Sequence, residues 1–357
     1  MRTKAKPVSN QRINVAVIGA GRIGRIHAAN IATRIPGARL AAVADVNLVA
    51  ARELGARFEV PLVVSDCREI LESPSISAVA ICSSSETHAQ LIQDAAAHGK
   101  HIFCEKPIDL EVEPIERALA AARKAGVKLQ IGFNRRFDPT FARAREFVAG
   151  GRVGEVQLVR ITSRDPAPPP LEYLRKSGGI FRDMTIHDFD MVRFLTGSEV
   201  VDVFATGAAL VEPDLERLGD VDTCVVTLRL QSGALAVIDN SRQAVYGYDQ
   251  RAEVFGTRGM IMVGNPAPDA HLHLDEAGAH TAKLQTFFTD RYAESYLAEM
   301  QAFVDSVAFD RPPPVSGLDG LLATRIALAA GRSRVANQPI SMNPAMDRKA
   351  GGGQTRT

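Results

Sequence analysis

The segment Gly19-Ala20-Gly21-Arg22-Ile23-Gly24 stands directly after the β-branched run INVAVIG and opens a helical stretch, and that placement constrains the fold more than any other feature of the chain. In such a turn the first glycine permits the tight reversal. The second leaves room for a pyrophosphate against the backbone, and the third lets helix and strand pack closely. The helix N-terminus then offers unpaired N–H groups to the anion. Asp45 closes the run LAAVAD about 20 residues further on, where a carboxylate can accept from both adenosine-ribose hydroxyls. The same charge disfavours a 2′-phosphate, so NAD is expected rather than NADP, although the nearby Arg39 and Arg52 leave room for some NADP tolerance. Gly19, Gly21, Arg22, Ile23, Gly24 and Asp45 are the cofactor-binding candidates that follow from this motif.

Downstream, short apolar runs alternate with helical stretches: LAAVAD, ARELGARF, ISAVAICSSS, AQLIQDAAAHG, HIFCEKP, EPIERALAAARKAG and KLQIGFN. The apolar runs are nearly continuous, as parallel strands covered on both faces require. After Arg135 the pattern changes to a helix, a strand EVQLVRITSRD, a Pro-rich loop and a helix near DMTIHDFDMVRFL. Strands then follow in succession, broken by turn signals at Gln231-Ser232-Gly233 and Gly256-Thr257-Arg258-Gly259. The expected fold is an α/β Rossmann domain with a parallel sheet, over 13–132, followed by an α+β domain with a largely antiparallel open sheet, over 133–343. Residues 1–12 and 344–357 read as disordered tails. Leu297, Met300, Val304 and Val307 share one helical face, and RPPP ends that helix.

With 357 residues the chain has room for two cores, and its 46% hydrophobic and 23% charged residues are those of an ordinary globular protein. A formal charge of +1 and the lack of any dense Lys/Arg run argue against nucleic acid or an anionic membrane as partner. Cys67, Cys82, Cys104 and Cys224 form no C-x-x-C, and three of them sit in strand-like apolar runs, which reads as buried thiols. No leader-like or membrane-spanning apolar stretch is present, so a cytoplasmic enzyme acting on a small molecule is expected.

Glu105-Lys106-Pro107 ends the strand HIFCEKP at the carboxyl edge, where open α/β sheets place their ligands. An ammonium there can donate to a substrate oxygen and stabilise a developing alkoxide. An exposed lysine beside a turn-forming proline is the plainer alternative. In GGIFRDMTIHDFD, residues 178–190, Asp183 and His187 stand four apart and Asp190 three further on, so one helical face can carry all three. An alcohol must lose its hydroxyl proton as hydride leaves the same carbon, and a histidine titrating near neutrality suits that transfer. His187 is the candidate base, with Asp183 contacting a substrate hydroxyl and orienting the imidazole. Alternatively Asp183 caps a helix and His187 merely packs, or the trio ligates a metal. Structural zinc would want Cys or His partners at short spacing, which the chain does not offer, and no metal is expected. His27 reads as a helix-packing or cofactor-edge residue.

Together GAGRIG, EKP and GGIFRDMTIHDFD resemble the Gfo/Idh/MocA oxidoreductase family from about Ile13 to Ile340, and the chain is similar to its inositol 2-dehydrogenases. The resemblance implies a catalytic set of Lys106, Asp183 and His187. It adds Ser83, His88, Glu105 and Lys106 to the cofactor contacts, and implies substrate contacts from Lys106, Arg135, Asp165, Asp183, His187 and Tyr248. Arg135 stands in NRRF and Tyr248 in YGYD; the plainer readings are an ion-pair residue and a cross-strand tyrosine. Ser163-Arg164-Asp165-Pro166 departs from relatives that place histidine or asparagine near there. The implied activity is NAD-dependent oxidation of a cyclic polyol, myo-inositol to scyllo-inosose, in inositol catabolism, by a homotetramer assembled through the second-domain sheet. Alternatives are another inositol isomer, a hexopyranose or a sugar acid as substrate, or an NAD-binding sensor without turnover. Retention of Lys106, Asp183 and His187 together argues against the sensor.

Overall fold

Six short apolar strands, β1 (Ile13–Ile18), β2 (Ala38–Ala44), β3 (Leu62–Val64), β4 (Ala78–Ile81), β5 (His101–Glu105) and β6 (Leu129–Gly132), form a parallel sheet in the order β3-β2-β1-β4-β5-β6. The computed structural model describes residues 12–342. The expected tails fall outside that range except for Arg12. The order reverses between β1 and β4, so the turns after these two neighbours diverge and leave a crevice at their carboxyl ends. Every residue of β4 is buried, the pattern of a strand covered on both faces.

The chain divides into two compact units. The first runs to Asp109 and adds Glu113–Gly132 and Tyr296–Gly317; the second holds Leu110–Val112, Phe133–Ser295 and the chain from Leu318 onward. Most of the helix Ala293–Ala308 therefore lies with the first unit, whereas the sequence pattern assigned it to 133–343. Its apolar face explains the difference. Met300, Phe303 and Val304 enter the core formed by Val17, Ile31, Leu54 and Phe103, with Leu297 and Val307 packed against it. The rings of Phe103 and Phe303 lie 6.0 Å apart. A single periodic helix does not reveal which of two cores its stripe will join.

In the second unit β7 (Val156–Arg164), β8 (Val200–Ala208), β9 (Thr223–Leu230), β10 (Leu235–Ser241), β11 (Asp249–Gly256), β12 (Gly259–Val263) and β15 (Ile340–Ser341) form a sheet in the order β12-β11-β7-β10-β9-β8-β15. Only the β7–β10 pair is parallel, and the others are antiparallel. The signals at 231–233 and 256–259 are the β9–β10 and β11–β12 turns. Alternate residues of β9, Cys224, Val226, Leu228 and Leu230, are buried. An exposed hairpin, β13 (Leu272–Asp275) with β14 (Gly278–Thr281), escapes the sequence pattern because it has no buried face to impose alternation. Cys82, Cys104 and Cys224 are buried free thiols, and burial pushes all three above the ordinary thiol range, Cys224 to about 12. No helix among the described residues is long and apolar enough to cross a membrane.

Candidate active site

In the first unit the glycine-rich turn is built to close tolerances. Gly19 has φ +105°, and a Cβ there would stand 2.5 Å from the Cys82 carbonyl at the end of β4. A Cβ on Gly24 would lie 1.8 Å from the Gly19 oxygen. Gly21 is the opposite case, since a Cβ there would meet nothing within 4 Å. The turn is thus closed where helix and strands meet and open where the helix Arg22–Thr33 begins. Gly21 is the N-cap of that helix and provides no side-chain acceptor for its first N–H groups. Uncapped amides above open space suit the pyrophosphate of a dinucleotide. Asp45 accepts from Ala20 N at 2.6 Å through Oδ2 and from Asn47 N at 2.8 Å through Oδ1. A carboxylate offers about four acceptor sites, so capacity for ribose hydroxyls remains on both oxygens. Arg22 is exposed and Ile23 half-buried at the helix start.

Ser83 and His88 follow β4. The Ser83 hydroxyl pairs with that of Thr87 at 2.6 Å. His88 is buried, with Nδ1 at 2.8 Å from the Pro107 oxygen and Nε2 at 3.0 Å from the Ser83 oxygen. His88 thus stands between the turn after β4 and the turn after β5, the one that carries Lys106, with a carbonyl acceptor facing each ring nitrogen. Glu105 Oε1 lies 2.7 Å from His27 Nε2, and the fully buried Glu299 places an oxygen 3.8 Å from the same nitrogen. His27 is a packing residue, edge-on to Phe103 and Tyr296. One candidate ligand atom from each of His27, Glu105 and Glu299 lies within 4.8 Å of the other two, a grouping from distant segments that no local spacing could disclose. Burial and the Glu105 charge raise the Glu299 carboxyl well above the usual range, so the cluster reads as a hydrogen-bonded pair beside a neutral acid.

In the second unit Asp183 and His187 do not share one helix, contrary to the expected single face. Gly178 and Gly179, both at φ +85°, turn the chain into the short helix Ile180–Asp183. That helix closes when Met184 N and Thr185 N both donate to the Ile180 oxygen at 2.9 Å, and a second helix then spans Ile186–Thr196. Asp183 accepts from Tyr173 Oη at 2.8 Å and from Arg242 Nη2 at 3.2 Å. His187 is half-buried, with the Phe133 ring edge-on at 6.0 Å. Asp190 does not join them: both of its oxygens take Arg136, which also reaches Asp319.

Arg135 is buried and donates to Asp188 Oδ1 at 2.6 Å and to Ser163 Oγ at 3.0 Å. Asn240 completes that network by donating to Asp188 Oδ2 at 2.8 Å. The guanidinium of Arg135 also lies over the Tyr292 ring, against which Tyr248 packs edge-on. Burial raises the Tyr248 phenol well above its ordinary value. Asp165 is half-buried after β7, its N–H bonded to the Ser241 oxygen at 2.9 Å. The structure thus brings Arg135 together with Tyr248, and Asp183 with Tyr173 and Arg242. Sequence reasoning passed over Tyr173, Arg242 and Asp188, whose partners lie 10, 59 and 53 residues away with no periodic signature.

Two family descriptions match the chain, an oxidoreductase family with NAD-binding Rossmann fold over residues 13–133 and a GFO/IDH/MocA C-terminal domain over residues 141–262. An uncharacterized oxidoreductase of Bacillus subtilis is 47% identical over 93% of this chain and 97% of its own length. A myo-inositol 2-dehydrogenase of Thermotoga maritima is 48% identical over 90% of this chain and 96% of its own. A solved structure of Lactobacillus casei scyllo-inositol dehydrogenase with bound NAD(H) and scyllo-inositol superposes with a TM-score of 0.88 at 34% identity, covering 93% of this chain and 99% of that one. The open, uncapped turn at Gly21 and the long, high-identity relatives agree: the chain belongs to the Gfo/Idh/MocA oxidoreductase family and carries its NAD-binding Rossmann domain.

Proposed function

We propose that this protein is an NAD-dependent dehydrogenase of inositols, acting on myo-inositol to give its 2-keto product, scyllo-inosose. The observation that carries the reading is the presence of Lys106, Asp183 and His187 in a chain 48% identical to a myo-inositol 2-dehydrogenase. Bound NAD supplies the hydride acceptor. The chain's own residues do the rest. The uncapped amides after Gly21 hold the pyrophosphate, and Asp45 accepts from the adenosine ribose. Lys106 donates to the reacting hydroxyl oxygen, and His187 takes its proton as the carbon gives up hydride. Asp183 accepts from a substrate hydroxyl and orients the imidazole. Arg135, Asp165 and Tyr248 complete the proposed substrate contacts. scyllo-Inositol is the second reading, supported by the likeness to the scyllo-inositol dehydrogenase structure.

His187→Ala tests the assignment: turnover should fall by about 10² to 10⁴ with NAD affinity near normal, and unchanged turnover overturns it.

A homotetramer assembled through the second sheet is part of the same proposal. Leu235 pairs with Leu158, Leu158 with Phe255, and Phe255 with Met260, an apolar row across four adjacent strands. Leu235, Phe255 and Met260 are exposed in the isolated chain. Such a row on an open sheet face suits a second copy of the chain. Light scattering on Phe255→Asp should show smaller species than the parent; an unchanged mass refutes this interface.

A further inference from the structure

Asp183 is gripped from two sides, and the two grips differ in kind. Arg242 directly follows β10, and its side chain is 1% exposed. Its guanidinium reaches Asp183 Oδ2 at 3.2 Å, while its Nε has no hydrogen-bond partner among the described residues. Removing a guanidinium from water is costly unless its charge and donors are met, so an arginine this deep is tied to the carboxylate that answers it. Asp183 itself remains 13% exposed. Its other oxygen, Oδ1, accepts from the hydroxyl of Tyr173 at 2.8 Å. Tyr173 sits on the single-turn helix Leu171–Leu174 after the Pro-rich run and is 51% exposed. One donor is therefore rigid and buried. The other is carried by a surface segment and offers Oδ1 a hydroxyl, the same group a polyol would present.

We propose that Arg242 and Tyr173 are positioning residues for Asp183, Arg242 fixing the carboxylate through Oδ2 and the Tyr173 hydroxyl holding Oδ1 until a substrate hydroxyl takes that place. The inference rests on the proposed role of Asp183 in contacting the polyol. The environment of the phenol fits: although the residue is half-exposed, desolvation by the groups around it, then the Asp183 charge, push Tyr173 above its ordinary value, with Arg242 opposing and Asp165 adding to the rise. Asp183, Arg242 and Asp165 are the charged groups acting on that hydroxyl, and the bond to Asp183 Oδ1 keeps the phenol protonated as a donor.

The test uses the full-length enzyme, four single variants, Arg242→Met, Arg242→Lys, Tyr173→Phe and Asp183→Asn, and the Arg242→Met/Asp183→Asn double variant, with steady-state kinetics, NADH binding and thermal melts on each. Arg242→Met should lower kcat/KM for the polyol about 10- to 100-fold, the range for loss of one charge-assisted hydrogen bond, while NADH affinity stays within about three-fold. Arg242→Lys should recover a large part of that loss, and it is the variant to read if Arg242→Met does not fold. Tyr173→Phe should change KM for the polyol more than kcat, because its hydroxyl competes with substrate for Oδ1. Arg242→Met combined with Asp183→Asn should be no worse than Asp183→Asn alone, since both act through one carboxylate. If Asp183→Asn keeps parental turnover, the underlying reading of the site fails. If Asp183→Asn is inactive while Arg242→Met and Tyr173→Phe retain parental kcat and KM, the reading stands and this inference is overturned. Lower melting temperatures with parental kinetics in all Arg242 variants would likewise overturn it.

Discussion

Replacing Asp45 separates two tasks that one carboxylate performs. Oδ2 accepts from Ala20 N at 2.6 Å and Oδ1 from Asn47 N at 2.8 Å, so the side chain ties the glycine-rich turn to the start of the next helix. Hydrogen bonds to a charged group are worth about 1.5 to 3 kcal/mol each, and partial exposure places these toward the lower end, so Asp45→Ala should loosen the turn by about 3 kcal/mol in all. The proposed ribose contacts are lost as well. NAD affinity should therefore fall about 100-fold or more in Asp45→Ala, since each 1.4 kcal/mol is a factor of ten. Asp45→Asn keeps an oxygen for one of the two backbone donors, gives up the bond to the other, and removes the charge that opposes a 2′-phosphate. Its NADH affinity should fall about 10-fold while NADPH binding improves relative to NADH. The chain contains no tryptophan, so titrations can follow nicotinamide emission directly without an indole background. An unchanged NADH/NADPH ratio in Asp45→Asn, or tighter NADPH binding by Asp45→Ala than by Asp45→Asn, would refute the reasoning.

Glu299→Gln tests the buried acid. Its folded value is raised above the ordinary 4.5, so the stability it contributes is fully present below that value and is lost as pH rises through the folded one. The glutamine variant should gain on the parent in melting temperature as pH rises above the ordinary carboxyl range; parallel curves would contradict the assignment. Asp188→Ala leaves Arg135 buried without its carboxylate and should cost about 3 to 5 kcal/mol in urea unfolding, whereas a loss under about 1 kcal/mol would mean the network carries little. Gly24→Ala puts a methyl 1.8 Å from the Gly19 oxygen and should lower both the melting temperature and NAD affinity. Gly21→Ala, with open space around its Cβ, should lower NAD affinity alone, and the reverse pattern for the pair would contradict the geometry of the turn.

The parallel sheet and its cofactor turn are legible in the sequence because their signals are local. Gly19, Gly21 and Gly24 lie within six residues, and the strands of the first sheet are nearly continuous apolar runs. The second sheet is legible through its turns, at 231–233 and 256–259, and through the alternation of β9. Helix Ala293–Ala308 shows the limit: its stripe is plain, but its destination in the first unit depends on a core formed by residues far earlier in the chain, from Val17 to Phe103. The Asp183–His187 spacing is equally plain, yet the chain uses it across two helices, because Thr185 closes one turn before the next begins. Asp190 looks like a site residue beside His187, yet it is spent on Arg136, as its neighbour Asp188 is on Arg135. Arg242 and Tyr173 carry no local signature, and only tertiary pairing brings them to Asp183.

The central claim is tested most directly by NADH formation with purified enzyme, NAD and a panel of myo-, scyllo- and chiro-inositol, hexopyranoses and sugar acids. The account predicts that kcat/KM is highest for an inositol, with myo-inositol first, and that His187→Ala abolishes most of that rate. A higher kcat/KM for a hexopyranose or sugar acid than for any inositol, or measurable NAD binding with no turnover across the panel, would contradict it.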